Sequence, residues 1–147
     1  MAVTAKVYGQ MPLNSLKKLI SDLNAVGTTV MCMLCTDSYV PDQDTNESKA
    51  DITNEIVGAG YTAGGVELTT KALTYTSRVT KFDAEDAEWT SATFVARYAV
   101  IYDDTPVADA DKKLLCWVDF GEDKSCENGT FRIQWNAGGI FTITVAA

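Results

Sequence analysis

Apolar and polar positions alternate along several short stretches of this chain, and near its start they follow a helical period instead. Val3, Ala5 and Val7 alternate with Thr4, Lys6 and Tyr8, which predicts a first strand or a packed arm. Pro12, followed by Leu13, Leu16, Leu19, Ile20 and Leu23 and by Gly27 as a stop signal, predicts a short surface helix over 12–26. Such an amphipathic helix either lies on a sheet or docks into a partner subunit. The nearly continuous apolar run 28–36 (TTVMCMLCT) predicts a buried strand. Residues 39–50 are polar, contain Pro41 and lack any period, so they read as a long loop of the contact-making kind.

Residues 52–57 predict a short strand, 66–76 an alternating one, and 79–82 another after a turn at Ser77 and Arg78. An acidic stretch (Asp83, Glu85, Asp86, Glu88) then ends at Trp89, which anchors the chain where it re-enters the core. Residues 94–102 carry apolar side chains on both faces, which predicts a central strand. After a polar excursion at 105–112, 114–120 predicts a strand that turns at 121–125, with a second turn signal at Glu127, Asn128 and Gly129. The end of the chain reads as a hairpin, 130–135 against 140–145. Phe131, Ile133 and Trp135 share one face of the first arm, and Phe141, Ile143 and Val145 one face of the second. About eight strands and one helix, with turn signals between them, predict an all-β fold. The expected architecture is a single antiparallel β-sandwich domain over 1–147, jelly-roll-like, with 1–27 as an N-terminal arm and helix.

The chain has 147 residues, enough for one domain with a sizeable core. Twelve basic and twenty acidic residues leave a net charge of −8, which argues against nucleic acid as a partner. Residues 1–10 show no basic segment followed by an apolar one, and no apolar run reaches the roughly 20 residues that span a bilayer. The expectation is a soluble protein made in a reducing cytoplasm, with no membrane partner. There is no histidine, which removes His-dependent triads, the commonest general base and the commonest metal ligand together.

The stretch 51–65, DITNEIVGAGYTAGG, sets four glycines (Gly58, Gly60, Gly64, Gly65) around Tyr61, a ring able to pin such a loop. It lacks the spacing of a phosphate-binding loop and reads as a corner of a β domain. Together with MLCTDSYVPDQDTNES, FVARYAVIYDD, WVDFGEDKS and GTFRIQWNAGGIFTITVA, this stretch resembles a family of small structural proteins of tailed-phage virions. The similarity runs from about Thr29 to the end. It implies a non-enzymatic protein without cofactor, assembled in the host cytoplasm, that decorates the capsid or the neck. Its implied partners are the major capsid protein, neck proteins or other decoration proteins, and further copies of itself. In that family, serine-like residues are expected at position 126 and aliphatic residues or alanine at 32 and 116. The cysteines standing there imply a gain of crosslinking.

Candidate chemistry is sparse. Cys32 and Cys35 form a CxxC, but in a strand an odd offset sends the two thiols to opposite faces, against both zinc and redox readings. With Cys116 they read as small buried hydrophobes, while Cys126, in the polar KSCENG, reads as an accessible thiol. All four are candidates for crosslinking. Cys126 is expected to bond either between chains or, across a turn at Gly121, with Cys116. Asp42, Asp44 and Asn46 match the start of a calcium loop, but Glu47 and Thr53 stand where glycine and glutamate are needed, so no metal site is expected. Asp103, Asp104, Asp119 and Asp123 could supply a hydrolase with two carboxylates only if the fold brought them together. Tyr39, Pro41, Asp42, Asp44 and Tyr61 are the expected interaction-loop residues. Aromatics exposed on the Tyr39 and Tyr61 loops would instead favour a tail-fibre or carbohydrate-binding module.

Overall fold

In the computed structural model, which describes residues 2–147, eight strands form two antiparallel sheets that pack face to face in a sandwich-like, all-β arrangement. Met1, the first residue of the expected N-terminal arm, lies outside the described residues. The larger sheet runs in the order β1 (Thr4–Val7), β7 (Leu114–Ile133), β6 (Ala87–Asp103), β2 (Val30–Cys35) and β3 (Val66–Glu67). The smaller sheet consists of β4 (Ala72–Thr76), β5 (Val79–Asp83) and β8 (Phe141–Thr144). The sheets do not close on each other, so β1 and β8 remain open edges on one side of the sandwich.

β6 and β7 are far longer than their sequences suggest, 17 and 20 residues, and form the spine of the molecule. The turn expected at 121–125 is a bulge within β7. Between Asp119 and Lys124 the chain advances five residues while β6, opposite, advances two, and Gly121 takes φ +80. The second turn signal is likewise absorbed, with Asn128 at φ +48 inside the strand. Pairing along the whole ribbon outweighs local turn propensity, so the strand bends without reversing.

Four further expectations are corrected. The expected terminal hairpin does not form: β7 ends on β6, whereas β8 crosses to pair with β5 (Phe82 opposite Phe141). The alternating run 66–76 is split between the two sheets at Thr70, which has φ +50. Residues 52–57 are not a strand. Asn54 is at φ +59, and the segment meets the end of β2 through the single bridge Cys35–Glu55. The helix α1 spans only Met11–Leu16. Lys18, at φ +58, ends it, with the Leu19 N–H bonded back to Asn14 O. Leu13, Leu16 and Leu19, expected to lie on the sheet, are exposed; Met11, Ile20 and Leu23 make the core contacts.

The main core lies between the sheets. Cys32, Leu34, Ile101, Cys116 and Val118 from the large sheet meet Phe82 and Phe141 from the small one. A second cluster covers the outer face of the large sheet, where Tyr8, Tyr39, Tyr102 and Trp117 surround Met33 and Val100. Because side chains alternate along β2, Cys32 belongs to the first cluster and Cys35 to the second.

Candidate functional site

The glycine loop is fixed rather than open. Tyr61 packs its ring against Trp89 and Phe94. Its hydroxyl accepts the Leu34 N–H at 3.0 Å and donates to Glu55 Oε1 at 2.7 Å. Glu55 also accepts the Gly64 N–H, and the buried Tyr102 hydroxyl donates to Gly64 O at 2.8 Å. A Cβ on Gly65 would fall 1.9 Å from Cys32 O, so this backbone approach to β2 admits glycine alone. Gly58 is nearly as tight, with Thr93 O 2.5 Å from where a Cβ would sit.

Tyr39, expected on an interaction loop, is buried. Its hydroxyl donates to Asn46 Oδ1 at 3.0 Å and lies 2.8 Å from that of Tyr8, which is therefore the donor of that pair. Burial raises the pKa of the Tyr8 hydroxyl well above its usual range and that of Tyr39 to about 12, so both stay neutral. Tyr39 is corrected from a contact residue to a core residue, its phenol being the apolar body that fills the space beneath the loop. Pro41 is half-buried, and Asp42 and Asp44 are exposed. Asp42 Oδ1 accepts the N–H groups of Asp44 and Thr45 at 2.9 and 3.0 Å, closing its own turn. Among the described residues no group of three or more metal-ligating side chains is assembled.

The four aspartates fall into two groups, Asp103 and Asp104 at the end of β6 and Asp119 and Asp123 in the bulged part of β7. Asp103 is buried and accepts the Ser21 and Thr105 N–H groups at 2.7 and 3.0 Å, tying the N-terminal segment to the end of β6. Asp104 pairs with Lys112 at 2.8 Å. Asp119 sits opposite Tyr98, five residues along β6 from Asp103, so the two carboxylates are on the order of 15 Å apart at a strand's rise per residue. That exceeds the roughly 5–9.5 Å that glycoside hydrolysis requires. Asp119 is also held by Arg97 Nε at 2.7 Å and by the Gly121 N–H at 2.8 Å.

All four cysteines are free thiols. Burial raises the pKa of Cys32 strongly and those of Cys35 and Cys116 to about 12, so these three are inert. Cys126 is not on an exposed turn. It lies on β7 opposite Phe94, half-buried against the core. The expected alternative bond from Cys126 to Cys116 is excluded: they pair with Phe94 and Ile101, seven residues apart on β6, which sets them on the order of 20 Å apart, against the roughly 6 Å a disulfide spans.

Two surface features stand out that the sequence did not reveal. The first is the inner face of the small sheet. Leu73, Phe82 and Phe141 form one cross-strand row, and Tyr75, Thr80 and Ile143 the next row on the same face. Phe82 and Phe141 are buried, yet Leu73, Tyr75, Ile143 and Val145 on that face are 41%, 68%, 43% and 63% exposed. The opposite face carries Thr74, Lys81, Thr142 and Thr144. The sheet thus overhangs the core and leaves half of its apolar face uncovered.

The second is a groove of about 630 Å³ at the open side of the sandwich, between β1, β7 and the 134–140 segment. Phe120, Phe131 and Trp135 line it with Lys124, Arg132, Gln134 and Asn136. No family model matches this chain, and no curated protein and no solved structure is significantly similar to it.

Proposed function

We propose that this chain is a non-enzymatic structural protein of a tailed-phage virion, decorating the capsid or neck and assembling with further copies of itself. Its work is adhesion, and the uncovered face of the small sheet is the surface that adheres. The observation that carries this reading is the asymmetry of that sheet. A sheet solvated on both sides would be polar on both, whereas here Leu73, Tyr75, Ile143 and Val145 continue the apolar face beyond the core. No charged side chain stands in those two rows; the nearest, Arg78, adjoins Val145 at the end of the sheet, where the Val145 N–H bonds to Arg78 O. Leu13, Leu16 and Leu19 offer a second exposed apolar surface near α1, suited to a larger partner. The viral setting rests on the resemblance read from the sequence alone in the segments 51–65, 94–104 and 117–125. A tail-fibre module reading through aromatics on the 39 and 61 loops loses its basis, because Tyr39 is buried and Tyr61 is held in the core.

Sedimentation velocity over a concentration series tests the adhesive face. The wild type should self-associate, and the double variant Tyr75→Ser, Ile143→Ser should remain monomeric with an unchanged melting temperature. Equal behaviour of the two proteins would contradict the proposed face.

A further inference from the structure

The groove between β1, β7 and the 134–140 segment has features that the assembly reading does not use. Its volume, about 630 Å³, falls within the roughly 300–1,000 Å³ of small-ligand sites. Trp135 stands in its wall, half-exposed, and is held at two points: its backbone N–H donates to Asp86 Oδ1 and its indole Nε1–H to Glu85 O, each at 3.0 Å. An aromatic ring so positioned loses little freedom when a ligand stacks on it. The polar members of the wall mix donors and acceptors. Gln134 and Asn136 contribute amides and Lys124 an ammonium, while Arg132, whose Nε lies 2.8 Å from Glu88 Oε1 and 3.3 Å from Asp86 Oδ2, is paired with carboxylates outside the groove.

We propose that this groove binds a short carbohydrate chain built of pyranose rings. A pyranose presents a face of C–H bonds, weakly positive and apolar, which suits the negative face of an indole. Its hydroxyl rim donates and accepts at once, and the amides of Gln134 and Asn136, with the Lys124 ammonium as a further donor, satisfy both demands. A purely apolar ligand would leave the amides of Gln134 and Asn136 without a role. This inference goes beyond the assembly reading and stands on different residues, so either can fail without the other.

The full-length chain would be titrated with cellohexaose, laminarihexaose, chitohexaose and a linear galactan fragment into the millimolar range. Saturation-transfer NMR and tryptophan fluorescence would report binding. At least one sugar should saturate with transfer to its ring C–H protons. Gln134→Ala, at an exposed position, should weaken it about three- to tenfold, the worth of one neutral hydrogen bond, with the melting temperature unchanged. Trp135→Phe should weaken it at least as much. The proposal is overturned if no sugar saturates, or if the affinity survives both substitutions. It is equally overturned if the groove proves to seat an extended segment of a second copy, seen as a dimer that Trp135→Phe dissociates and no sugar displaces.

Discussion

Leu73 and Phe82 face each other across β4 and β5 on the same side of the small sheet, yet Phe82 is fully buried and Leu73 is 41% exposed. The boundary between core and open surface therefore runs between two paired residues. Phe82→Ala should destabilise the protein by about 3–5 kcal/mol, as large aromatic truncations in cores do. Leu73→Ser should change the stability of the monomer by no more than about 1 kcal/mol. Urea unfolding of both variants under monomeric conditions checks this, and similar losses would mean the sheet is covered after all.

Gly65 provides the sharpest test of the loop. Its φ of +88 and the 1.9 Å approach of Cys32 O leave no room for a methyl group. Gly65→Ala should cost more than about 3 kcal/mol or prevent folding, since steric overlap with backbone adds to left-handed strain. Thermal melts decide it, and a variant as stable as wild type would rule out this backbone approach.

The thiols should separate cleanly by accessibility. Cys126 is half-buried at the groove, whereas Cys32, Cys35 and Cys116 are buried with raised pKa values. Ellman's reagent on native protein at pH 8 should titrate one thiol per chain, and Cys126→Ser should remove that reaction. Reaction of further thiols without unfolding would contradict the packing of the core. If Cys126 crosslinks neighbouring chains in assembled particles, non-reducing gels should show higher-mass bands that the same substitution removes.

The ion pair of Arg97 and Asp119 gives a pH dependence of known sign. Hydrogen bonding to Arg97 holds the Asp119 carboxyl below its ordinary value despite partial burial, with the Gly121 N–H assisting. A depressed folded-state pKa contributes stability above the unfolded value of about 3.9, and that stability is lost as pH falls further through the folded-state value. The melting-temperature gap between wild type and Asp119→Asn should be level at neutral pH and shrink below about pH 4. A gap that widened on acidification would reverse the assignment.

The fold class and the strongest strands were legible because their signal is local. The apolar run around Met33 and the two-sided strand through Tyr98 needed nothing beyond alternation and length. Gly121 and Asn128 misled because a bulge and a turn use the same residues, and only long-range pairing with β6 decides between them. Ile140 and Phe141 lie on a segment that could close a hairpin with β7, but β5 offers Phe82 as a partner from nearly sixty positions away, and sequence spacing carries no trace of that. The opposite orientations of Cys32 and Cys35 followed from strand geometry alone. The uncovered face of the small sheet did not, because nothing local marks Tyr75 and Ile143 as lying beyond the reach of the core. The groove around Trp135 was hidden for a similar reason: Asp86, Arg132 and Trp135 meet only through tertiary structure.

The central claim, that this chain is an adhesive component of a phage particle, is tested most directly by image reconstruction of the intact virion encoded with it. The account predicts symmetric copies of the sandwich on the shell or neck, with Leu73, Tyr75, Ile143 and Val145 buried against a neighbour. A virion lacking the chain, or one in which that face points to solvent in every copy, would contradict it.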